Sequence, residues 1–234
     1  MNKIAIMQPY FFPYIGYFQL INAVDKFIVY DNIQYTKKGW INRNRILVNG
    51  KDEYISAPLK KDSDYLNINE RNLADAFKDE RQKMLRKLTE AYRKAPYLDS
   101  AFPVITNVIN NSDENLFTFI YYSVKAICEY LEIKTECIIS SAINIDHNLK
   151  AADKVKAICK KMEAEVYINP IGGIDMYNKE DFLKEGIALQ FLKTDEIVYP
   201  QFKNEFVPFL SIVDLMMFNS KEQIVKMLDL YKII

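Results

Sequence analysis

The chain has 234 residues, 50% of them hydrophobic, and its 31 Lys and Arg balance 31 Asp and Glu, which removes any general electrostatic pull toward nucleic acid. That length is enough for one large unit burying roughly 70–75% of its unfolded surface, and no run of about 18 apolar residues suggests a membrane span. The N-terminal MNKIAIMQPY lacks a cleavage site after its short apolar core, and Cys128, Cys137 and Cys159 have neither disulfide-framework nor zinc spacing, so the expectation is a cytoplasmic protein with reduced thiols and no metal.

KIAIM (3–7) reads as a first strand and YIGYFQLINAVD (14–25) as a helix, with Tyr14, Ile15, Phe18, Leu20, Ile21 and Val24 near helical spacing. KFIVYD (26–31) is a continuous apolar strand of the kind buried on both faces of a parallel sheet. RILVNGKDEYISAPL (45–59) carries Asn49-Gly50 between two strand-like runs, a strong hairpin signal. Residues 71–131 turn helical, one helix ending at Pro96. Alternation then resumes: strand 137–143, helix 150–163, strand 166–170, the short helix KEDFLKEG, strand 188–192, and two closing helices, FVPFLSIVDLMMFN and SKEQIVKMLDLYK. The pattern predicts an α/β fold: an open, mostly parallel sheet with helices on both faces. The whole chain, 1–234, reads as a single domain with 71–131 as a helical insertion.

Ligands of open α/β sheets bind beyond the carboxyl ends of the strands. The first strand ends there in QPYFFPYIGYFQLI (8–21), where Pro9 and Pro13 stiffen a loop crowded with rings. Gln8 and Tyr10 are candidates to face a ligand, while Phe11 and Phe12 are expected to pack inside. The second strand leads into YDNIQYTKKGWINRNRI (30–46), which holds Asp31, Asn32, Gln34, Lys38, the sole tryptophan Trp40, Asn42, Arg43, Asn44 and Arg45. A local basic cluster in a neutral protein suits an anionic small ligand, because guanidinium forks grip phosphate bidentately. Later strands contribute Ser140 and NPIGGIDMY (169–177), where Gly172 and Gly173 could present backbone N–H groups and Tyr177 a hydroxyl. His147, the only histidine, precedes a helix and is a candidate general base.

Taken together, QPYFFPYIGYFQLI, AVDKFIVYDNIQYTKKGWINRNRI, AYRKAPYL (91–98), YINPIGGIDMY and FVPFLSIVDLMMFN resemble the WbqC-like family over nearly the whole chain. Asn169 stands where the family pattern leads one to expect a small Ser-Gly pair before the proline. The resemblance implies a place among proteins of bacterial O-antigen, lipopolysaccharide and other surface-polysaccharide clusters. It also implies a glycine transferase role, setting an aminoacyl group on an amino sugar. The opening β-loop-α-β is in addition similar to class I nucleotidylyltransferases and pantothenate synthetases. Tyr14 and Tyr17 stand where their H-x-G-H loop has histidines, and Gly16 is kept. Tyrosine, with a pKa near 10, is a poor stand-in for a cation at neutral pH.

The resulting expectation is an acyl or aminoacyl transferase acting on a nucleotide-linked amino sugar. Its catalytic candidates are Gln8, Asp31 and His147. Its binding candidates are Pro9, Tyr10, Gly16, Tyr17, Asn32, Gln34, Lys38, Trp40, Asn42, Arg43, Asn44, Arg45, Ser140, Gly172, Gly173 and Tyr177. The acyl source stays open among ATP activation, a carrier-protein thioester and charged tRNA. The alternatives are a non-catalytic nucleotide-sugar-binding protein and a nucleotidyltransferase-like enzyme.

Overall fold

A computed structural model describes residues 1–234. Five parallel strands form the sheet: β1 (Lys3–Met7), β2 (Lys26–Val29), β5 (Glu136–Ile139), β6 (Val166–Pro170) and β7 (Ala188–Thr194). A sixth, β8 (Tyr231–Ile233), pairs antiparallel with β7, and the spatial order is β5-β2-β1-β6-β7-β8. The apolar runs are continuous because both faces are covered. Ala5, Phe27, Val29, Val166 and Ile168 enter one buried cluster. Their neighbours Ile4, Ile6, Ile28 and Tyr167 enter another on the opposite face, as the period of two in a strand requires.

The first face packs against α1 (Ile15–Asn22), α4 (Leu116–Tyr130) and α7 (Ile212–Phe218), and the same cluster runs on through α2 (Phe77–Tyr92) and α3 (Leu98–Ile109). The second face is covered by α5 (Ala151–Lys161) and α6 (Lys179–Leu183), through Val155, Ile158, Cys159 and Phe182. The hairpin strands β3 (Arg43–Val48) and β4 (Lys51–Ser56) form a separate two-stranded ribbon. Its turn residues Asn49 and Gly50 have φ of 50° and 78°, the left-handed pair a type I′ turn needs. No helix is long and apolar enough to cross a membrane.

Three expected elements end differently. The strand expected over 137–143 stops at Ile139, and Ser140–Ala142 form a 3-10 turn. The reason is Asp31, whose carboxylate accepts the Ser141 N–H at 2.8 Å and its hydroxyl at 2.6 Å, pulling the chain off the sheet. The helix expected from Phe206 begins only at Ile212, after Ser211 caps it. The last helix, α8 (Lys221–Met227), stops early, and the residues after it cross the sheet edge as β8. That strand exists only because β7 offers an unpaired edge, which local sequence does not reveal.

Strand order reverses at β1. The chain proceeds from β1 to β2 and outward, then returns to place β6 on the other side of β1. The carboxyl ends of β1 and β6 therefore flank the crevice where ligands of such sheets bind.

Candidate functional site at the β1–β6 crevice

The loop after β1 is built as a rigid partition. Phe11 and Phe12 are fully buried, their rings 4.6 Å apart, and Phe11 reaches Phe119 at 5.6 Å. Phe12 has φ 42°, uncommon for a residue with a side chain. Its carbonyl is held from two sides, by the Asn44 amide at 2.9 Å and the Ser211 hydroxyl at 2.7 Å. Asn44 also donates to the Phe11 carbonyl at 3.1 Å, and the Ile212 N–H donates to that of Pro13 at 2.9 Å. The hairpin and α7 thus determine where Gln8, Tyr10 and Tyr14 stand.

A cavity of about 320 Å³ opens at the crevice, within the usual size of small-ligand sites. Gln8 and Tyr10 form one wall, Tyr30 and Ile33 another, and Tyr167, Asn169, Gly172, Gly173 and Tyr177 the side below β6. No charged residue lines it. Burial pushes the Tyr10 and Tyr30 hydroxyls up to about 12. At neutral pH they are therefore protonated donors, not bases. The Tyr17 hydroxyl donates to the Gln8 carbonyl at 3.2 Å, while its ring lies in the core.

Asn169 departs from the expected small pair and takes a definite place. It accepts from the Tyr167 hydroxyl at 3.0 Å and donates to the Pro170 carbonyl at 3.3 Å. A Cβ on Gly173 would overlap the Asn169 amide nitrogen, so the two residues are a matched pair. Gly173→Ala is expected to displace the amide and to cost about 1–3 kcal/mol, the scale of an orphaned buried polar group. Because Asn169→Gly itself removes the bond to the Tyr167 hydroxyl, Gly173→Ala should cost little more in that background than Asn169→Gly alone in a double-mutant thermal melt; additive losses would show that the two are not coupled. Gly16 serves a similar purpose. The space over it is filled by the ring of Tyr14, so this glycine seats a tyrosine.

The remaining candidates occupy two other groups. At the ends of β2 and β5, Asp31 is buried and its carboxylate accepts from Asn69 at 2.8 Å as well as from Ser141. Asn32 accepts from the buried Ser140 hydroxyl at 3.1 Å and faces His147 Nδ1 at 2.9 Å. His147 Nε2 meets the Ile143 carbonyl at 2.9 Å. That geometry makes Nε2 the protonated nitrogen, with Nδ1 accepting from the Asn32 amide. Neither Asp31 nor His147 lines the cavity.

In the second group, on and before the hairpin, Arg43 donates to the Lys38 and Gly39 carbonyls at 3.0 and 3.2 Å and lies over the Tyr54 ring. Arg45 pairs with Asp52 at 3.0 Å and lies over Trp40. Asn42 bridges the Tyr35 hydroxyl and the Ala57 carbonyl, and Gln34 donates to the Asp64 carbonyl. Pro9 joins the cavity wall to the buried part of the loop.

Lys154 was not among the expected residues. Only 4% exposed, its ammonium donates to the Asn32 carbonyl at 3.2 Å and lies 5.0 Å over the Tyr30 ring. Burial lowers its pKa, and Asp31 pulls it back up. The signal was present in the spacing: Lys154 and Ile158 are four apart and share the inward stripe of α5. Tyr30, Tyr167 and Asn169 were also passed over. Tyr30 and Asn169 stand at or near the carboxyl ends of β2 and β6, whereas Tyr167 lies near the start of β6 and reaches the crevice through its hydroxyl bond to Asn169.

The model of the WbqC-like protein family matches residues 8–226. The chain belongs to the WbqC-like protein family. This WbqC-like chain is also 28% identical over 220 residues to the uncharacterized protein Rv1507c of Mycobacterium tuberculosis, covering 92% of the present chain and 93% of that protein. No solved structure matches it.

Proposed function

We propose that the protein transfers an acyl or aminoacyl group, glycyl in particular, to the amine of a nucleotide-linked amino sugar in bacterial surface-polysaccharide assembly. The observation that carries this is the crevice cavity: about 320 Å³, free of charged residues, and lined by tyrosines and amides. Sugars bind such walls, with hydroxyls meeting amide and phenol groups and ring faces lying on aromatic side chains. In the reaction the amine nitrogen forms a bond to the acyl carbon, the bond from that carbon to its leaving group breaks, and the amine proton leaves with the leaving group. Gln8 and Tyr10 supply donors for the developing oxyanion. The Gln8 side-chain oxygen accepts a hydrogen bond from the amine N–H and orients it, while the proton itself departs with the leaving group.

The test is to incubate the purified protein with glycine, ATP and a nucleotide-amino sugar, with carrier thioester and charged tRNA as alternative donors. The sugar is then weighed by mass spectrometry. A mass gain of one glycyl or acyl group is expected, and no gain with any donor sinks the activity. Gln8→Ala should lower turnover about a hundredfold, the scale for one oxyanion donor, with an unchanged melting temperature. A Gln8→Ala protein as active as the parent would remove Gln8 from the chemistry.

A second reading, a nucleotide-sugar-binding protein without turnover, is favoured by one observation. The cavity lining holds no carboxylate and no imidazole, the usual general bases. Binding without mass gain would select it.

A further inference from the structure

Tyr10 lines two cavities. On its other side lies a smaller one of about 150 Å³, enclosed by Tyr10, Pro13, Tyr14, Trp40, Arg45 and Phe209, with Asn44 at its edge. We propose that this second cavity is a stacking subsite for one heteroaromatic ring, the nucleobase of a nucleotide-linked substrate. The inference rests on the sugar reading of the crevice cavity and adds where the far end of such a substrate goes.

Volume is the first argument. A cavity of about 150 Å³ is one that accommodates a single aromatic ring, not a whole nucleotide. Its walls are the second. Four aromatic side chains line one small space, and the Arg45 guanidinium lies 5.4 Å from the Trp40 ring centre. Aromatic rings with a guanidinium plane are the usual means of holding a base irrespective of its hydrogen-bonding edge.

The third argument is Phe209. It is 71% exposed, although large apolar rings are normally buried. It also holds φ at 56°, left-handed for a residue with a side chain. Its carbonyl accepts from Arg45 at 3.3 Å, and its ring lies edge-on to Tyr14 at 6.5 Å. The backbone is thus strained in a way that keeps a ring at the cavity mouth. Arg45 is anchored by Asp52 and by Phe209, and its buried Nε–H has no acceptor. So placed, Arg45 acts through its face on a ring, and not as a free fork for a diphosphate.

Trp40 is the only tryptophan, so its fluorescence reports this cavity directly. Uridine, adenosine and ribose 5-phosphate are titrated separately into the full chain. Saturable quenching by at least one nucleoside is expected, with none from ribose 5-phosphate. Phe209→Ala should weaken nucleoside binding about fivefold or more, the loss from removing one stacking side chain. Phe209→Tyr should stay within about twofold of the parent, because the ring is kept. Because Phe209 is exposed, both variants should keep the parent melting temperature. No saturable nucleoside quenching, equal quenching by ribose 5-phosphate, or unchanged binding by Phe209→Ala would each overturn the subsite. Failure here is separable from failure of the transfer reading. Acyl transfer to an amino sugar without nucleoside binding removes the subsite alone, and nucleoside binding without any transfer removes the activity alone.

Discussion

Phe12→Ala and Phe11→Ala are each expected to lower the unfolding free energy by about 3–5 kcal/mol, the cost of emptying a fully buried phenylalanine site. Both rings have no exposed surface, and they pack on each other and on α4 through Phe119. The surroundings cannot close over the gap easily. The Phe12 carbonyl is pinned by Asn44 and Ser211, and the loop backbone is tied to residues 40 and 41 through the Phe11 N–H. Tyr10→Phe in the same loop removes only a hydroxyl at a cavity wall, so its melting temperature should stay near that of the parent. Urea unfolding of the three variants checks this. A loss under about 1 kcal/mol for both buried phenylalanines would mean that the loop is not the rigid partition described.

Asp214→Ala is expected to have a comparable effect for a different reason. This carboxylate on α7 is fully buried and has no cationic partner in its hydrogen-bond set. The Tyr92 hydroxyl donates to one oxygen at 2.7 Å; the Tyr199 hydroxyl and the Gln201 amide donate to the other at 2.7 and 2.8 Å. The Leu47 N–H in turn donates to the Tyr92 oxygen at 3.0 Å. One carboxylate therefore ties β3, α2, the segment after β7 and α7 together. Removing it orphans the Tyr92 and Tyr199 hydroxyls, while the Gln201 amide keeps the Val207 carbonyl at 3.1 Å. Charge-assisted bonds of about 1.5–3 kcal/mol each, less the relief of desolvating the anion, give a net loss on the order of 3–5 kcal/mol.

The same group should show in the pH dependence. Burial raises the Asp214 pKa above its ordinary 3.8, against the pull of its three donors. The folded state then binds the proton more tightly than the unfolded chain. The stabilisation from that proton is complete below the unfolded value and is lost as pH rises through it toward the folded value. Other carboxylates titrate in the same range, so the informative quantity is a difference. The stability of the parent minus that of Asp214→Asn should fall as pH rises from about 3 into the neutral range. A flat or rising difference would contradict the raised pKa.

Much of this architecture was legible beforehand. The apolar runs at 3–7, 26–31 and 166–170 could be buried on both faces only in a parallel sheet, and Asn49-Gly50 dictated its turn through the φ > 0 that only a few residues accept. The doubly prolined loop was recognisable as a rigid wall, because Pro9 and Pro13 restrict φ wherever they stand. Gln8, Tyr10, Gly172, Gly173 and Tyr177, picked out at strand ends, do line the crevice cavity.

What the chain could not disclose locally was the fate of its polar side chains. The Asp31-Asn32 pair and the segment holding Ser140 and His147 are distant in sequence and meet only where β2 and β5 lie side by side, so nothing near Asp31 announced that Ser141 and Asn69 would occupy it. Arg43 and Arg45 read as free charge; folding turned the first onto backbone carbonyls and the second onto Asp52 and Trp40. Strand β8 depended on a free edge of β7, and the aromatic cavity depended on Phe209 reaching a loop nearly two hundred positions earlier. By itself the sequence determined the periods, the turns and the stiff loop, which are properties of short stretches and their torsions. Only the tertiary structure decided which donors and acceptors are spent on one another and which stay free to meet a ligand, because that pairing is settled by contacts between segments whose separation in the chain carries no record of it.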